Sequence, residues 1–412
     1  MKKLIIASCA ALMSLSAWSQ EWNLMFELKD QKKPQNLGTH VQFSNNGKVL
    51  AISADGDSKS NNALAATTLW LFSKQADGDW NLSADPINLD NNITGREFAM
   101  SANGKRYVFN QIGERAISDT SKYFYVRPVV IELGNNGNID TIGQFTWSDT
   151  VTLTPNTQPE YAKNEYQLSN GGDTLLWSSF YFESTWKSKV KAFALVNGKW
   201  QLFQTIKKKN ANGFAYNFCV SGNGKKLAIS DIFGGESGEG AVHVYRIENG
   251  QYVEYPSPLI GDKSNGALGK GLRITPDGKK LMAYANGRSS NGTSVSYFQL
   301  YKVSENACVK SGESLNPEFA FGMETKNWSI NADASKLAAS ARAAGSFEIK
   351  TFEFDGTKWQ KSGKTLNGYS SSVYVANCAA ISPDGNYLVY SQTGLGANYN
   401  EGIVQVYVTN DA

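Results

Sequence analysis

The sequence predicts an all-β fold, a seven-bladed β-propeller of four-stranded antiparallel blades, and three observations carry that prediction. A turn signature recurs seven times, opening at Ser44, Ser101, Ser169, Ser221, Thr275, Asn331 and Ser382. Three residues on stand Gly47, Gly104, Gly172, Gly224, Gly278, Ala334 and Gly385, and six on stand Leu50, Tyr107, Leu175, Leu227, Leu281, Leu337 and Leu388. The openings are 57, 68, 52, 54, 56 and 51 residues apart, too short for separate domains and suited to one four-stranded blade each. Inside the intervals a second turn recurs before an aromatic strand, as in Asp77-Gly78-Asp79-Trp80, Asn197-Gly198-Lys199-Trp200, Asn249-Gly250-Gln251-Tyr252 and Asp355-Gly356-Thr357-Lys358-Trp359.

The chemistry of each turn follows from its residues. In Thr275-Pro276-Asp277-Gly278 and Ser382-Pro383-Asp384-Gly385 the proline presets φ for a type I corner, and the glycine takes the left-handed position that follows. Ala334 lacks that freedom, so the sixth hairpin is expected to be strained by roughly 1 kcal/mol or bent differently. Third strands are read at Thr68 to Phe72, Val190 to Leu195, Ala241 to Tyr245, Phe298 to Val303, Phe347 to Phe354 and Ile403 to Val408. The last repeat ends one strand short, while Glu21 to Phe26 is a surplus strand at the other end; it is expected to complete the seventh blade as its outermost strand.

Residues 1–19 read as a secretory signal peptide: Lys2 and Lys3, an apolar run from Leu4, then Ala17-Trp18-Ser19. A single propeller domain over 20–412 follows, exported to the periplasm or the medium, and a monomer is expected. No later segment has the length of apolar residues that a membrane helix requires, so membrane insertion is not expected. Loss of Lys2 and Lys3 lowers the formal charge from +3 to +1, which gives no electrostatic case for nucleic acid. The one basic run, Lys207-Lys208-Lys209, reads as a solvated edge or loop. Cys219 and Cys378 fall in apolar strands and read as buried thiols; a disulfide through Cys308 stays open.

The hairpins at Thr275 to Ala283 and Ser382 to Val389 resemble those of TolB-type and WD-repeat propellers. The strands at Gly240 to Tyr245 and Gly402 to Tyr407 are similar to those of FG-GAP-type, integrin-like propellers. The resemblance covers essentially the whole mature chain as a fold pattern. No Trp-Asp ends a blade and no D-x-D-x-D-G loop is present, so it implies neither calcium binding nor any other cofactor.

In this strand order the short turns share one end of the blades and the longer connections the other. Variable length concentrates in the second group, which marks it as the binding end. Its loops are read at Ala54 to Ala66, Gln111 to Lys122, Ser179 to Ser188, Asp231 to Gly240, Ala285 to Ser294, Ala341 to Gly345 and Gln392 to Glu401. Within them Tyr181, Phe182 and Trp186, with Tyr399 and Asn400, are candidate ligand contacts, since exposed aromatic planes stack on sugars or anchor a protein. The alternative for the first group is that alternate aromatics continue the strand and fill the gap between blades. Arg273, with Arg96 and Arg342, is a candidate for an anionic ligand or for pairing with carboxylates. Asp231 to Gly240 joins three carboxylates to a glycine-rich backbone; its spacing fits no cation loop, and it reads as flexible and solvated.

No catalytic residue and no metal site is predicted. The two histidines, His40 in the loop entering the first strand and His243 inside an outer strand, cannot form a histidine metal cluster and read as structural. The glycines lack the strand-to-helix setting of a phosphate loop. The expected function is recognition of a protein or glycan through the long-loop end without catalysis; a channel-centred hydrolase or lactonase and a pure scaffold are the alternatives.

Overall fold

A computed structural model describes residues 21–29, 36–54, 67–90, 93–118, 121–134, 138–143, 145, 151–153, 163–182, 186–209, 213–288, 292, 294–317, 327–342, 347–368, 376–395 and 401–410; of these, the side chains at 94–96, 112–118, 121–125, 151–153, 163–164, 180–182, 186–187, 342 and 376 are not described. The chain is a seven-bladed β-propeller: seven antiparallel sheets, each built on four strands taken in order, with no helix among the described residues. By proximity it groups into two units. One comprises Met1–Leu89 with Pro317–Ala412, the other Asp90–Asn316.

The first unit holds three blades. Blade one runs through Leu37–Phe43, Val49–Ala54, Thr68–Lys74 and Trp80–Leu82. Blade six uses Trp328–Ile330, Lys336–Arg342, Phe347–Phe354 and Trp359–Asn367. Blade seven takes Ala376–Ile381, Tyr387–Leu395 and Glu401–Thr409 from the end of the chain and Trp22–Lys29 from its beginning. This last strand lies antiparallel to Glu401–Thr409, with Trp22 opposite Thr409 and Lys29 opposite Ile403, as the surplus N-terminal strand predicts. It packs to both sides, since Trp22 Nε1 donates to Thr351 Oγ1 of blade six at 3.1 Å and Phe26 stacks on Phe72 of blade one at 5.5 Å.

The second unit holds four blades in sequence. Blade two has Ile93–Met100, Arg106–Ser118, Ser121–Leu133 and Ile139–Thr141; blade three has Lys163–Leu168, Thr174–Phe182, Trp186–Val196 and Lys199–Ile206. Blade four has Phe214–Val220, Lys226–Asp231, Ala241–Glu248 and Gln251–Glu254, and blade five has Leu268–Ile274, Lys280–Arg288, Ser294–Val303 and Cys308–Lys310. Apolar clusters fill the gaps: Val108, Val130, Trp177 and Phe193 between blades two and three, Ile206, Phe214, Phe218 and Tyr245 between three and four, and Val242, Leu272 and Tyr301 between four and five.

The recurring turn explains its own sequence. Ser44 Oγ accepts from the amide of Val49 at 2.9 Å and donates to Asn46 Oδ1 at 2.7 Å; Ser101, Ser221, Thr275 and Ser382 repeat the arrangement with Asn103, Asn223, Asp277 and Asp384. In blade six Asn331 Oδ1 takes the same amide, that of Lys336, at 2.9 Å. Ala334 keeps the turn at φ +50°, so the blade is strained rather than rebuilt.

The turns are also bonded to one another. Ala102 N donates to Asn170 O, Asn170 N to Gly222 O and Gly222 N to Pro276 O, which links blades two to five; in the other unit Ala332 N donates to Pro383 O. The short-turn end is thereby occupied by its own backbone bonds.

The longer connections are less loop-like than expected. Strands extend to Ser118 and resume at Ser121, to Phe182 and Trp186, to Arg288 and Ser294, and to Leu395 and Glu401. Second and third strands keep their cross-strand ladder through much of the segments read as loops, because β-favouring residues continue there. His40 is likewise inside the first strand of blade one, where its amide donates to Ser53 Oγ at 3.1 Å. Among the described residues Cys219, Cys308 and Cys378 are free, with Cys219 and Cys378 buried, so Cys308 forms no disulfide with either.

Candidate functional site

The clearest surface at the long-loop end lies on blades three and four. Asp231 ends a second strand, and the following loop folds back on it: Gly234 N donates to Asp231 O at 2.9 Å and Gly240 N to Gly234 O at 2.9 Å. The loop is then tied to the next connection, with Asn265 N donating to Ser237 O, Leu268 N to Glu239 O and Gly261 N to Gly240 O, all within 3.0 Å. A segment expected to be flexible is therefore held. Glycine makes the approach possible, since Gly240 has φ +82° and a Cβ there would stand 2.1 Å from the Leu268 amide nitrogen. The result is a fixed loop that presents Phe233 with 55% of its surface exposed.

In the gap between blades three and four sits a polar cluster. His243 Nδ1 lies 2.8 Å from Lys208 Nζ and 2.6 Å from Glu254 Oε1, and Lys208 Nζ donates to the same Glu254 oxygen at 3.0 Å. Tyr245 OH donates to Glu254 Oε2 at 3.4 Å, and the Phe214 ring packs 5.9 Å from the imidazole. Nδ1 has one proton position, so it either donates to Glu254 or accepts from Lys208. Burial lowers the His243 pKa and the Lys208 charge lowers it further, against the opposing pull of Glu254. The imidazole is thus held neutral at pH 7. For Glu254 burial acts upward, but bonds from Lys208 and His243 outweigh it and the pKa falls below the usual carboxylate value. Lys208 and Glu254 each keep about a third of their side-chain surface exposed, offering a donor and an acceptor to a ligand. Asp231 shares the cluster's field, and its Oδ1 is buried with no hydrogen-bond partner among the described residues.

The run Lys207-Lys208-Lys209 lies in a loop with Lys207 and Lys209 exposed, as expected, but the contacts of Lys208 with His243 and Glu254 were not foreseen. The signal that finds it is tertiary: Lys208 follows the last strand of blade three, and His243 and Glu254 occupy adjoining strands of blade four. Phe233 lay within a segment singled out for its carboxylates, not for its aromatic ring.

The residues chosen from sequence fall elsewhere. Tyr181 and Phe182 end the second strand of blade three and Trp186 begins the third, with Phe182 paired to Trp186; their side chains lie outside those described. Tyr399 and Asn400 lie outside the described residues, as do the side chains of Arg96 and Arg342. Arg273 stands on the first strand of blade five and donates to Leu272 O at 3.0 Å. Burial lowers its pKa, opposed by the charges of Glu165, Cys219 and Glu97. Nearby, Asn217 Nδ2 donates to Glu165 Oε2 at 2.6 Å and Asn217 Oδ1 accepts from Leu272 N at 2.8 Å, riveting the first strands of blades three, four and five. Arg273 therefore belongs to this first-strand network, apart from the Phe233 loop. Among the described residues no group of three or more His, Cys, Asp or Glu is arranged to hold a metal, and no helix is long and apolar enough to cross a membrane.

No family model and no curated protein matches the chain. Solved structures do. Hydrazine synthase from Kuenenia stuttgartiensis is 13% identical with a TM-score of 0.53, covering 91% of this chain and 97% of that one. A Bacteroides uniformis protein provisionally described as a 6-phosphogluconolactonase is 12% identical with a TM-score of 0.50, covering 80% and 85%. A counterpart from Bacteroides fragilis under the same provisional description is 16% identical with a TM-score of 0.49. At these identities the likeness is one of fold alone.

Proposed function

We propose that the protein is an exported, non-catalytic binding module that takes a glycan at the long-loop end of blades three and four. The observation that carries this reading is Phe233, a largely exposed ring on a loop fixed by its own backbone bonds. A flat apolar ring stacks on the C–H face of a sugar, and partly exposed charged groups such as Lys208 and Glu254 of the same two blades can exchange hydrogen bonds with its hydroxyls. A loop already ordered loses little entropy on binding, which favours recognition by a preformed surface. Export rests on the N-terminal segment, and cell fractionation of the native host tests it.

Phe233→Ala tests the site. Glycan-array and calorimetric signals of the intact mature chain are expected to fall by at least about ten-fold, the loss of one stacking anchor, with an unchanged melting temperature. A protein captured equally by the wild type and Phe233→Ala, with no glycan retained, would replace this reading with protein recognition elsewhere. Turnover of a lactone or glycoside that Glu254→Gln abolishes would replace it with hydrolysis.

A further inference from the structure

In the polar cluster at the seam of blades three and four, one nitrogen is claimed twice. His243 Nδ1 stands 2.8 Å from Lys208 Nζ and 2.6 Å from Glu254 Oε1, and the ammonium reaches that same oxygen at 3.0 Å. An ammonium only donates and a carboxylate only accepts, so the proton on Nδ1 decides which neighbour the ring keeps. A neutral imidazole with its proton on Nε2 accepts from Lys208, and Lys208 in turn holds Glu254. An imidazolium carries a proton on Nδ1, donates to Glu254 and turns a like charge on Lys208 at contact distance. The two arrangements exclude each other.

The groups that face the ring come from all four strands of blade four and from the connection that leaves blade three. Phe214 of the first strand packs on it without charge. Asp231 of the second lies diagonally across, since Ile229 pairs with His243 and Asp231 with Ala241. Tyr245, on the strand of His243 itself, donates to Glu254 Oε2 at 3.4 Å, and Glu254 stands on the fourth strand. The charges of Glu254 and Asp231 favour a proton on the ring; burial and the Lys208 charge oppose it and prevail, so it titrates below the ordinary imidazole value of about 6.5. Lys208 lies just past the last strand of blade three with about a third of its side chain exposed, so it can turn to water without moving a strand.

We infer that His243 is a proton-operated latch on the ligand site. Neutral, it holds Lys208 and Glu254 together as a preset donor and acceptor; protonated, it takes Glu254 for itself, frees Lys208 to solvent and so lets the ligand go in acid. What the latch controls rests on the glycan reading, whereas its hold on Lys208 does not.

Two measurements on the intact mature chain keep these apart. The first uses no ligand: nitrogen-15 NMR of histidine- and lysine-labelled protein follows ring and ammonium from pH 8 to pH 4.5. The chain has 2 histidines, so His243 is assigned by its loss in His243→Gln, and Lys208 by its loss in Lys208→Arg. At pH 8 the ring is expected as the Nε2–H tautomer, and the Lys208 signal is expected to move to that of a free lysine at the midpoint where the ring gains its proton. A proton on Nδ1 at pH 8, a ring that stays neutral throughout, or an ammonium signal that ignores the titration would overturn the latch. The second reads neutral glycans, which do not titrate, on the array at pH 7.5 and pH 4.5. Wild-type signals are expected to fall at least about five-fold in acid, and those of His243→Gln, whose amide oxygen accepts from Lys208 but takes no proton, by less than about two-fold. No fall in the wild type, or an equal fall in both proteins, would overturn the control of binding by His243. Near-ultraviolet circular dichroism is expected to match at the two pH values, and its loss at pH 4.5 would make the fall one of folding and overturn release. A chain that retains no glycan but still frees Lys208 would keep the latch and remove the glycan reading.

Discussion

Within the four-blade unit the two ends of the blades solve the same problem, an exposed connection, in different ways. At the short-turn end each hydroxyl closes its own turn and each turn bonds the next, from Ala102 to Pro276, so repeat after repeat uses the same residues. At the long-loop end of blade four the backbone is bonded just as fully, but by one irregular set of contacts among Gly234, Ser237, Glu239, Gly240, Asn265 and Leu268. Order is common to both ends and repetition is not. The irregular end leaves over what the turns lack: an exposed Phe233 and a shared Lys208–His243–Glu254 cluster.

That contrast breaks most sharply at Gly240. Gly240→Ala drives a Cβ into the Leu268 backbone at a φ that L-residues resist, and is expected to cost about 2–5 kcal/mol in denaturant unfolding. An unchanged transition would mean that the loop is pliant after all. A smaller effect comes from the polar cluster. The folded-state pKa of His243 lies below its unfolded value, so above about pH 6.5 neither state is charged there and stability is full. As pH falls through that value the unfolded chain takes up a proton the folded protein refuses, and stability declines; Glu254, depressed from its ordinary value, adds a further loss at lower pH. Melting temperature is expected to fall from pH 7 to pH 5.5, and less steeply in His243→Gln; parallel slopes would mean the imidazole titrates normally. The smallest effect belongs to the turn end. Ala334→Gly relieves the left-handed strain at φ +50° but gives up a buried methyl, so the expected gain in unfolding free energy is under about 1 kcal/mol. A loss instead would show that packing outweighs strain in that turn.

What was legible in the sequence divides along the same line. The turns could be read because their chemistry is local: a hydroxyl and an amide five residues apart, and a left-handed position filled by glycine, specify a hairpin without reference to any other blade. The closing strand could be read too, since one repeat lacked a strand and the chain had one to spare. The site could not be read in this way. Lys208 meets His243 and Glu254 only because a connection from one blade rests on two strands of the next. The loop at Asp231 is irregular and largely exposed as expected, but its backbone bonds could not be read, because its glycines act by admitting a neighbouring backbone at close range.

The relay of turn bonds has a practical consequence. Proline carries no N–H, so Pro276 and Pro383 can end such a run but never extend it. The amides of Ala102, Asn170, Gly222 and Ala332 each span one junction, and the exchange of each with deuterium reports the parting of that pair of blades alone. Four backbone protons thus serve as a readout, junction by junction, of whether this array comes apart as a whole or opens at one seam.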